Sequence, residues 1–372
     1  MKKILNYDSA CDFSEGLAGV CRDGKWGFID TSGREVVPCK YDAIDVFHEG
    51  MARVNVGGRW RYDEAIDENY ISGGRFGFID KTGREVIPCQ FFYADNFHDG
   101  LAQIEERKEG KSSFFFIDKG GHRAGPSIEH SSDAFREGLA KTWDDGKCGF
   151  MDKSGSIVIP CIYDDAGDFH EGFARVECND KWGFIDKNGV EVVPCKYAWA
   201  SDFNEGMAQV WVGGVVRCVD DPLGGEVLSG CKIGFVDSSG REVIPCQYDY
   251  ALDFYEGLAF VNVVGAVGEY VFIDKTGRVV IRGVGSRPTA FSEGLACIDF
   301  GKKGGGYIDK TGQVVIPARF DTACAFRNGL AMVREGRTWG FIDKTGQMVI
   351  EYKTEPAPAP AKFNAPDDEL PF

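Results

Sequence analysis

No apolar run in this 372-residue chain approaches the roughly 18 residues that a membrane-spanning helix needs. The opening Met1-Lys2-Lys3-Ile4-Leu5 turns polar after two apolar positions, so it does not read as a signal peptide, and the expected compartment is the cytoplasm. Thirteen cysteines are present, yet no two stand as CxxC. That removes the close ligand pairs of structural zinc, and in a reducing compartment it predicts free, half-buried thiols. Basic runs are also missing, and the formal charge of −16 argues against a phosphate backbone as the ligand. No phosphate loop, dinucleotide fingerprint or Ser-His-Asp arrangement stands out. The expectation is a protein with no cofactor, no metal and no enzymatic activity.

What is present is repetition. KWGFIDTSGREVVPCKYDAIDVFHEG at Lys25–Gly50 returns as KWGFIDKNGVEVVPCKYAWASDFNEG at Lys181–Gly206, with weaker copies along the chain. One anchor, F-x-[E/D/N]-G-[L/M/F]-A, begins nine times, at Phe13, Phe47, Phe97, Phe135, Phe169, Phe203, Phe254, Phe291 and Phe326. A second, usually G-F-I-D, ends at Asp30, Asp80, Asp118, Asp152, Asp186, Asp237, Asp274, Asp309 and Asp343.

Each unit reads as three strands. The first follows the Glu-Gly turn and alternates apolar with polar residues, as in Met51-Ala52-Arg53-Val54-Asn55-Val56. The second is K-W-G-F-I-D and the third R-E-V-V-P or R-E-V-I-P. Between them lies D-K-T-G or a variant, whose first-place Asp and fourth-place Gly predict a type I turn followed by a left-handed bulge residue. Pro38, Pro88, Pro160, Pro194, Pro245 and Pro317 are then expected to stop the third strand, because proline donates nothing to a ladder.

Spacing adds a second level of order. Anchors four units apart, such as Phe47 and Phe203 or Phe97 and Phe254, are 156 or 157 residues apart. The third and seventh units share two departures: Phe115 and Val271 replace the Gly of G-F-I-D, and both units lack the I-P ending. This points to a duplicated four-unit block, 47–202 and 203–350, preceded by one unit. The long insertions near 57–74 and 213–231 then fall at equivalent places.

The units resemble the bacterial WG-repeat family, over about residues 7–350. The Trp-Gly pair stands at Trp26-Gly27, Trp182-Gly183 and Trp339-Gly340 and degenerates to Phe76-Gly77, Cys148-Gly149 and Ile233-Gly234. The resemblance implies a β-rich scaffold and no particular activity. Three strands are too few to bury their own Phe, Ile and Val, so neighbours must stack. The expected fold is all-β: nine three-stranded units in an open β-solenoid or hairpin array. The alternative is a closed propeller-like ring, since residues 7–16 match 41–50 and the chain therefore starts partway through a unit. Nine three-stranded blades would depart from the usual four strands and four to eight blades.

The recurring Asp and Glu are expected to serve the turns, because a catalytic pair is needed once and a turn in every unit. Cys39, Cys89, Cys161, Cys195 and Cys246, each after the strand-ending Pro, are expected to pack rather than bind metal. His48, His98 and His170 share one position and read as exposed turn residues. Trp26, Trp182 and Trp339 are candidates for stacking a glycan or cell-wall ligand, with burial between units as the plainer reading.

After Ile350 the pattern stops. Residues 351–364 form a Pro/Ala-rich linker, and 365–372 read Ala-Pro-Asp-Asp-Glu-Leu-Pro-Phe. This tip resembles the acidic end of bacterial single-stranded-DNA-binding proteins, a docking peptide for replication, recombination and repair enzymes. The resemblance implies that Phe372 and its α-carboxylate enter a partner's pocket. Leu370 and Pro371 would shape the approach, and Asp367, Asp368 and Glu369 would face a basic rim. The repeats leave no room for the DNA-binding barrel of that family. The functional expectation is therefore an interaction scaffold that carries this tip as recruiter or decoy and binds no nucleic acid itself.

Overall fold

The computed structural model describes residues 3–63, 68–108, 111–128, 134–218, 226–262, 270–284, 288–301 and 304–352. Among these there is no α-helix. The described strands form nine sheets, antiparallel except for one added strand, arranged as the blades of a β-propeller. Counted along the chain, the first eight blades lie within 9–41, 43–91, 93–128, 139–163, 165–197, 199–248, 258–284 and 295–320. Blade nine holds 322–352 and gains Lys3–Leu5 as its fifth strand.

That fifth strand corrects the expected open array. Lys3–Leu5 pairs in parallel with Met348–Tyr352, matching Lys3 to Ile350 and Leu5 to Tyr352. The first residues of the chain therefore cover the sheet edge left by the last blade, and the ring closes. Lys3–Leu5 itself becomes the edge strand of that blade, and radial repetition leaves such edges short.

The strand count per unit is corrected too. Most blades open with a short strand that three-strand reasoning omits, such as Ala43–Ile44, which pairs with Val54 and Asn55. Asp165–Ala166 and Trp199–Ala200 occupy the same place in blades five and six. Two residues carry no periodicity, so nothing in the pattern marks them.

The core is one contact repeated around the ring. The anchor Phe of each unit meets the aromatic ring of the preceding unit's second strand edge-on. Phe28–Phe47 has a centroid separation of 4.8 Å, Phe78–Phe97 4.7 Å and Phe184–Phe203 4.9 Å. The closing pair, Phe341–Phe13, has 4.9 Å and the same T-shaped geometry. Edge-to-face packing aligns a positive ring edge with a negative face and adds about 0.5–1.5 kcal/mol to the burial itself.

The Gly of the Trp-Gly pair has a steric cause. A Cβ on Gly27 would lie 2.3 Å from the Val37 carbonyl oxygen, and one on Gly183 would lie 2.4 Å from that of Val193. The prolines do not stop the third strand as expected: Glu35–Tyr41 runs on through Pro38 by bulging, so that Trp26 faces Tyr41 while Phe28, only two residues on, faces Val37. The Pro-Cys pair inside that bulge brings its backbone against the glycine. Phe115 and Val271 stand opposite third strands without Pro-Cys, but Gly306 and Gly340 keep the glycine where Pro-Cys is also absent, so loss of that pair permits the side chain without requiring it.

Candidate functional site

The turn acids of the anchors bind the blades together. Each sits at the first position of a two-residue hairpin turn with positive φ, as at Glu15 (φ 50°) and Gly16 (φ 89°). This is the type I′ pattern that suits the twist of antiparallel pairs. Each side chain then reaches the next blade. Gly50 N–H donates to Glu15 Oε2 at 2.9 Å, Gly100 N–H to Glu49 at 2.9 Å and Gly172 N–H to Glu137 at 2.9 Å. The series continues through Asp99, Glu171, Glu205, Glu256 and Glu293, and closes where Gly16 N–H donates to Asn328 Oδ1 at 3.1 Å.

Lysines from the D-K-T-G turns join the same girdle. Lys81 approaches Glu15 at 2.9 Å, Lys119 Glu49 at 3.0 Å, Lys187 Glu137 at 3.0 Å and Lys310 Glu256 at 2.9 Å. At the closure both partners are neutral: Asn328 replaces the acid, and Thr31 stands where the lysine would be. Desolvation pushes the Glu15 carboxyl up, but the Lys81 bond and the Gly50 and Glu49 N–H groups outweigh it and hold it below its usual range. Glu49, Glu137 and Glu256 behave alike. The Asp of the second anchor serves its own turn, as expected. Gly33 N–H donates to Asp30 O at 2.8 Å, while Ser32 and Arg34 N–H donate to Asp30 Oδ1 at 3.0 Å.

The remaining candidates fall mostly on packing. The Cys39 thiol donates to Val20 O at 3.6 Å, and Cys195 to Val176 O at 3.7 Å. Burial pushes the Cys39 thiol up to about 11 and Cys89 up to about 12. Among the described residues no group of three or more His, Cys, Asp or Glu is placed to hold a metal. His48 and His98 are half-buried, with ring centroids 5.4 Å apart. Burial and then Arg136 lower the pKa of His98. Trp26, Trp182 and Trp339 are half-buried; Arg175 lies over Trp182 at 5.1 Å and Arg334 over Trp339 at 5.5 Å. Asp367, Asp368, Glu369, Leu370, Pro371 and Phe372 lie outside the described residues.

A feature absent from the sequence reading lies beside the first insertion. The hairpin Met51–Asp63 with Glu68–Asp80 extends well beyond its neighbours, as does Met207–Cys218 with Glu226–Asp237 four blades on. Against the base of the first is a cleft of about 750 Å³ between blades two and three. Trp60, Phe92 and Tyr93 line it and are exposed, Trp60 by 52%. Trp60 Nε1 donates to Asp42 O at 3.2 Å, which holds the indole in place.

Three arginines enter this cleft, and two are neutralised. Arg53 Nε donates to Asp45 at 2.6 Å, and Arg107 Nε to Glu105 at 2.6 Å. Arg75 differs. Its guanidinium lies 3.8 Å over the Phe92 ring and donates to Gly74 O at 2.8 Å, with no carboxylate partner among the described residues. The available signal was the Arg59-Trp60-Arg61 run inside an insertion between glycine pairs.

No curated protein matches the chain. Among solved structures, that of a eukaryotic initiation factor aligns with a TM-score of 0.50 at 12% identity, covering 83% of this chain and 86% of that one. BamB from Moraxella catarrhalis aligns at 0.31 and 10% identity, over 94% and 91% of the two chains. The Neurospora crassa Pan2 WD40 domain aligns at 0.33 and 12%, over 89% and 86%. The first of these shares the fold alone. The family described as WG containing repeat matches residues 5–26, 26–60, 76–110, 149–182, 182–214, 233–263, 306–338 and 339–353. With most of its length matched in this way, the chain belongs to the WG-containing repeat family.

Proposed function

We propose that this protein is a non-enzymatic interaction platform whose acidic C-terminal segment docks on replication, recombination or repair proteins, as recruiter or decoy. One observation supports the reading above the others: the last described strand ends on the face of the ring that carries the two extended hairpins. On the face of the Glu-Gly turns, acids, glycine N–H groups and lysines are engaged in bonds between blades. The opposite face carries the two extended hairpins. It is also where the last strand ends, since Tyr352 pairs with Trp339 at the start of its neighbour.

A closed ring is a rigid mount, and the segment beyond Tyr352 begins on the face of the extended hairpins, opposite the Glu-Gly turns. Burying the Phe372 ring in a partner's apolar pocket is worth about 1.5–3 kcal/mol. Asp367, Asp368 and Glu369 add salt-sensitive steering toward a basic rim. Affinity-tagged intact protein and a Phe372-deleted form, compared in native lysate, test the reading. Repair enzymes retained by the first and lost by the second are the expected result. Equal recovery by both rejects it.

A further inference from the structure

The cleft between blades two and three combines three properties that rarely meet on so acidic a body. It offers exposed aromatic surface at Trp60, Phe92 and Tyr93. It holds a guanidinium, Arg75, with no carboxylate partner among the described residues. And it lies at the foot of an extended hairpin on the face where the last described strand ends. An aromatic shelf beneath an available guanidinium suits an acidic peptide carrying an apolar or aromatic residue. The cation takes a carboxylate, and the rings take the apolar side chain.

The chain's own C-terminal residues supply such a peptide, on a long tether. Twenty residues follow Tyr352, among them Asp367, Asp368, Glu369, Leu370 and Phe372. At about 3.3 Å each they extend to at most about 66 Å. Blade nine joins blade one through the Lys3–Leu5 strand, and blade two is the next around the ring, so the cleft lies two blades on.

We propose that this cleft is the docking site for the chain's own acidic segment, residues 353–372, which is thereby masked in cis. Tethering makes a weak contact sufficient. A contact of about 10 µM affinity, facing an effective concentration on the order of millimolar, is occupied about 99% of the time. Docking in cis stands on the cleft chemistry and the tether. Its consequence, that a partner must displace the segment, rests on the function proposed above.

A fluorescently labelled peptide of residues 361–372, titrated against the full-length protein with anisotropy as readout, tests this. Its receptor is a tail-neutralised full chain carrying Asp367→Asn, Asp368→Asn, Glu369→Gln and Phe372→Ala. The peptide is expected to bind that receptor at about 10 µM and the wild-type chain about 100-fold more weakly, because the wild-type cleft is already filled. Arg75→Ala in the tail-neutralised chain should weaken binding about tenfold and Arg75→Lys should recover part of it, with far-UV circular dichroism unchanged in both. Equal affinity for wild-type and tail-neutralised protein, no binding to either, or indifference to Arg75→Ala in a folded protein overturns the proposal. The two readings fail separately. Peptide binding without any effect of Phe372 deletion on partner capture keeps cis docking and removes the partner. Capture that depends on Phe372 alongside a cleft that ignores the peptide does the reverse.

Discussion

At the scale of single residues, the repeat is held by groups whose role is visible only across blades. Glu137 occupies the left-handed region at φ 51°, a conformation that favours glycine and asparagine over glutamate. Its side chain accepts Gly172 N–H and pairs with Lys187, so the strain is retained for a contact with the next blade. The carboxyls of Glu15, Glu49, Glu137 and Glu256 lie lower in the folded state than their ordinary value of 4.5. Groups depressed by folding stabilise it fully above the unfolded pKa and lose that contribution as pH falls through the folded one. Thermal midpoints should therefore be level from neutral pH down to about 5 and fall progressively below the ordinary carboxylate range, with Glu137→Gln showing a shallower fall. The glycine of Trp-Gly gives a sharper case. Gly183→Ala forces a methyl to within 2.4 Å of the Val193 carbonyl oxygen. Overpacking of this kind costs about 1–3 kcal/mol, and chemical denaturation should show it in a lowered midpoint. Turn acids and glycines were legible as recurring letters. The bonds were not, because a partner in the next unit leaves no mark on local spacing.

At the scale of elements, the legible parts were those with period or punctuation. The Met51, Lys25-type and Glu35-type strands and the Asp-to-Gly turns all appear where alternation and turn chemistry place them. The short strand Ala43–Ile44 was missed because it runs on from Tyr41 after a single residue and is too brief to alternate. The insertion near 57–74 was visible as added length, but length alone does not say whether a segment loops or pairs. It pairs: Gly58 faces Gly73, Trp60 faces Ile71 and Tyr62 faces Asn69, continuing the ladder below it. Its strands are a graft on a hairpin that other blades close early, as at Asp23-Gly24. Removing residues 59–72 and joining Gly58 to Gly73 should leave the far-UV circular dichroism and the thermal midpoint close to wild type. The same deletion should abolish binding of the 361–372 peptide to the tail-neutralised chain, since Trp60 goes with it. A collapse of the midpoint would instead make the hairpin part of the ring's support.

At the scale of the whole molecule, the open array and the closed ring make opposite demands on the first unit. In an open array Phe13 belongs to a terminal unit, half of whose interface faces solvent, and its loss should matter little. In the ring it belongs to an interface like the others. Phe13 is 2% exposed and packs on Phe341 at 4.9 Å, beside Phe150–Phe169 at 4.8 Å within the array. The Lys3–Leu5 strand and the Gly16 to Asn328 bond reinforce the same seam. Repeat proteins distribute stability over nearest-neighbour interfaces, so a ring with one interface broken becomes an array with two free ends. Phe13→Ala and Phe169→Ala should therefore lower stability by similar amounts, each about 3–5 kcal/mol as for other buried Phe→Ala changes. Parallel denaturant titrations measure both. A Phe13→Ala effect well under half that of Phe169→Ala would mean that the seam contributes little and that the ring opens in solution. Comparable losses would mean that closure, which no repeat unit encodes alone, is held by residues separated by more than three hundred positions in the chain.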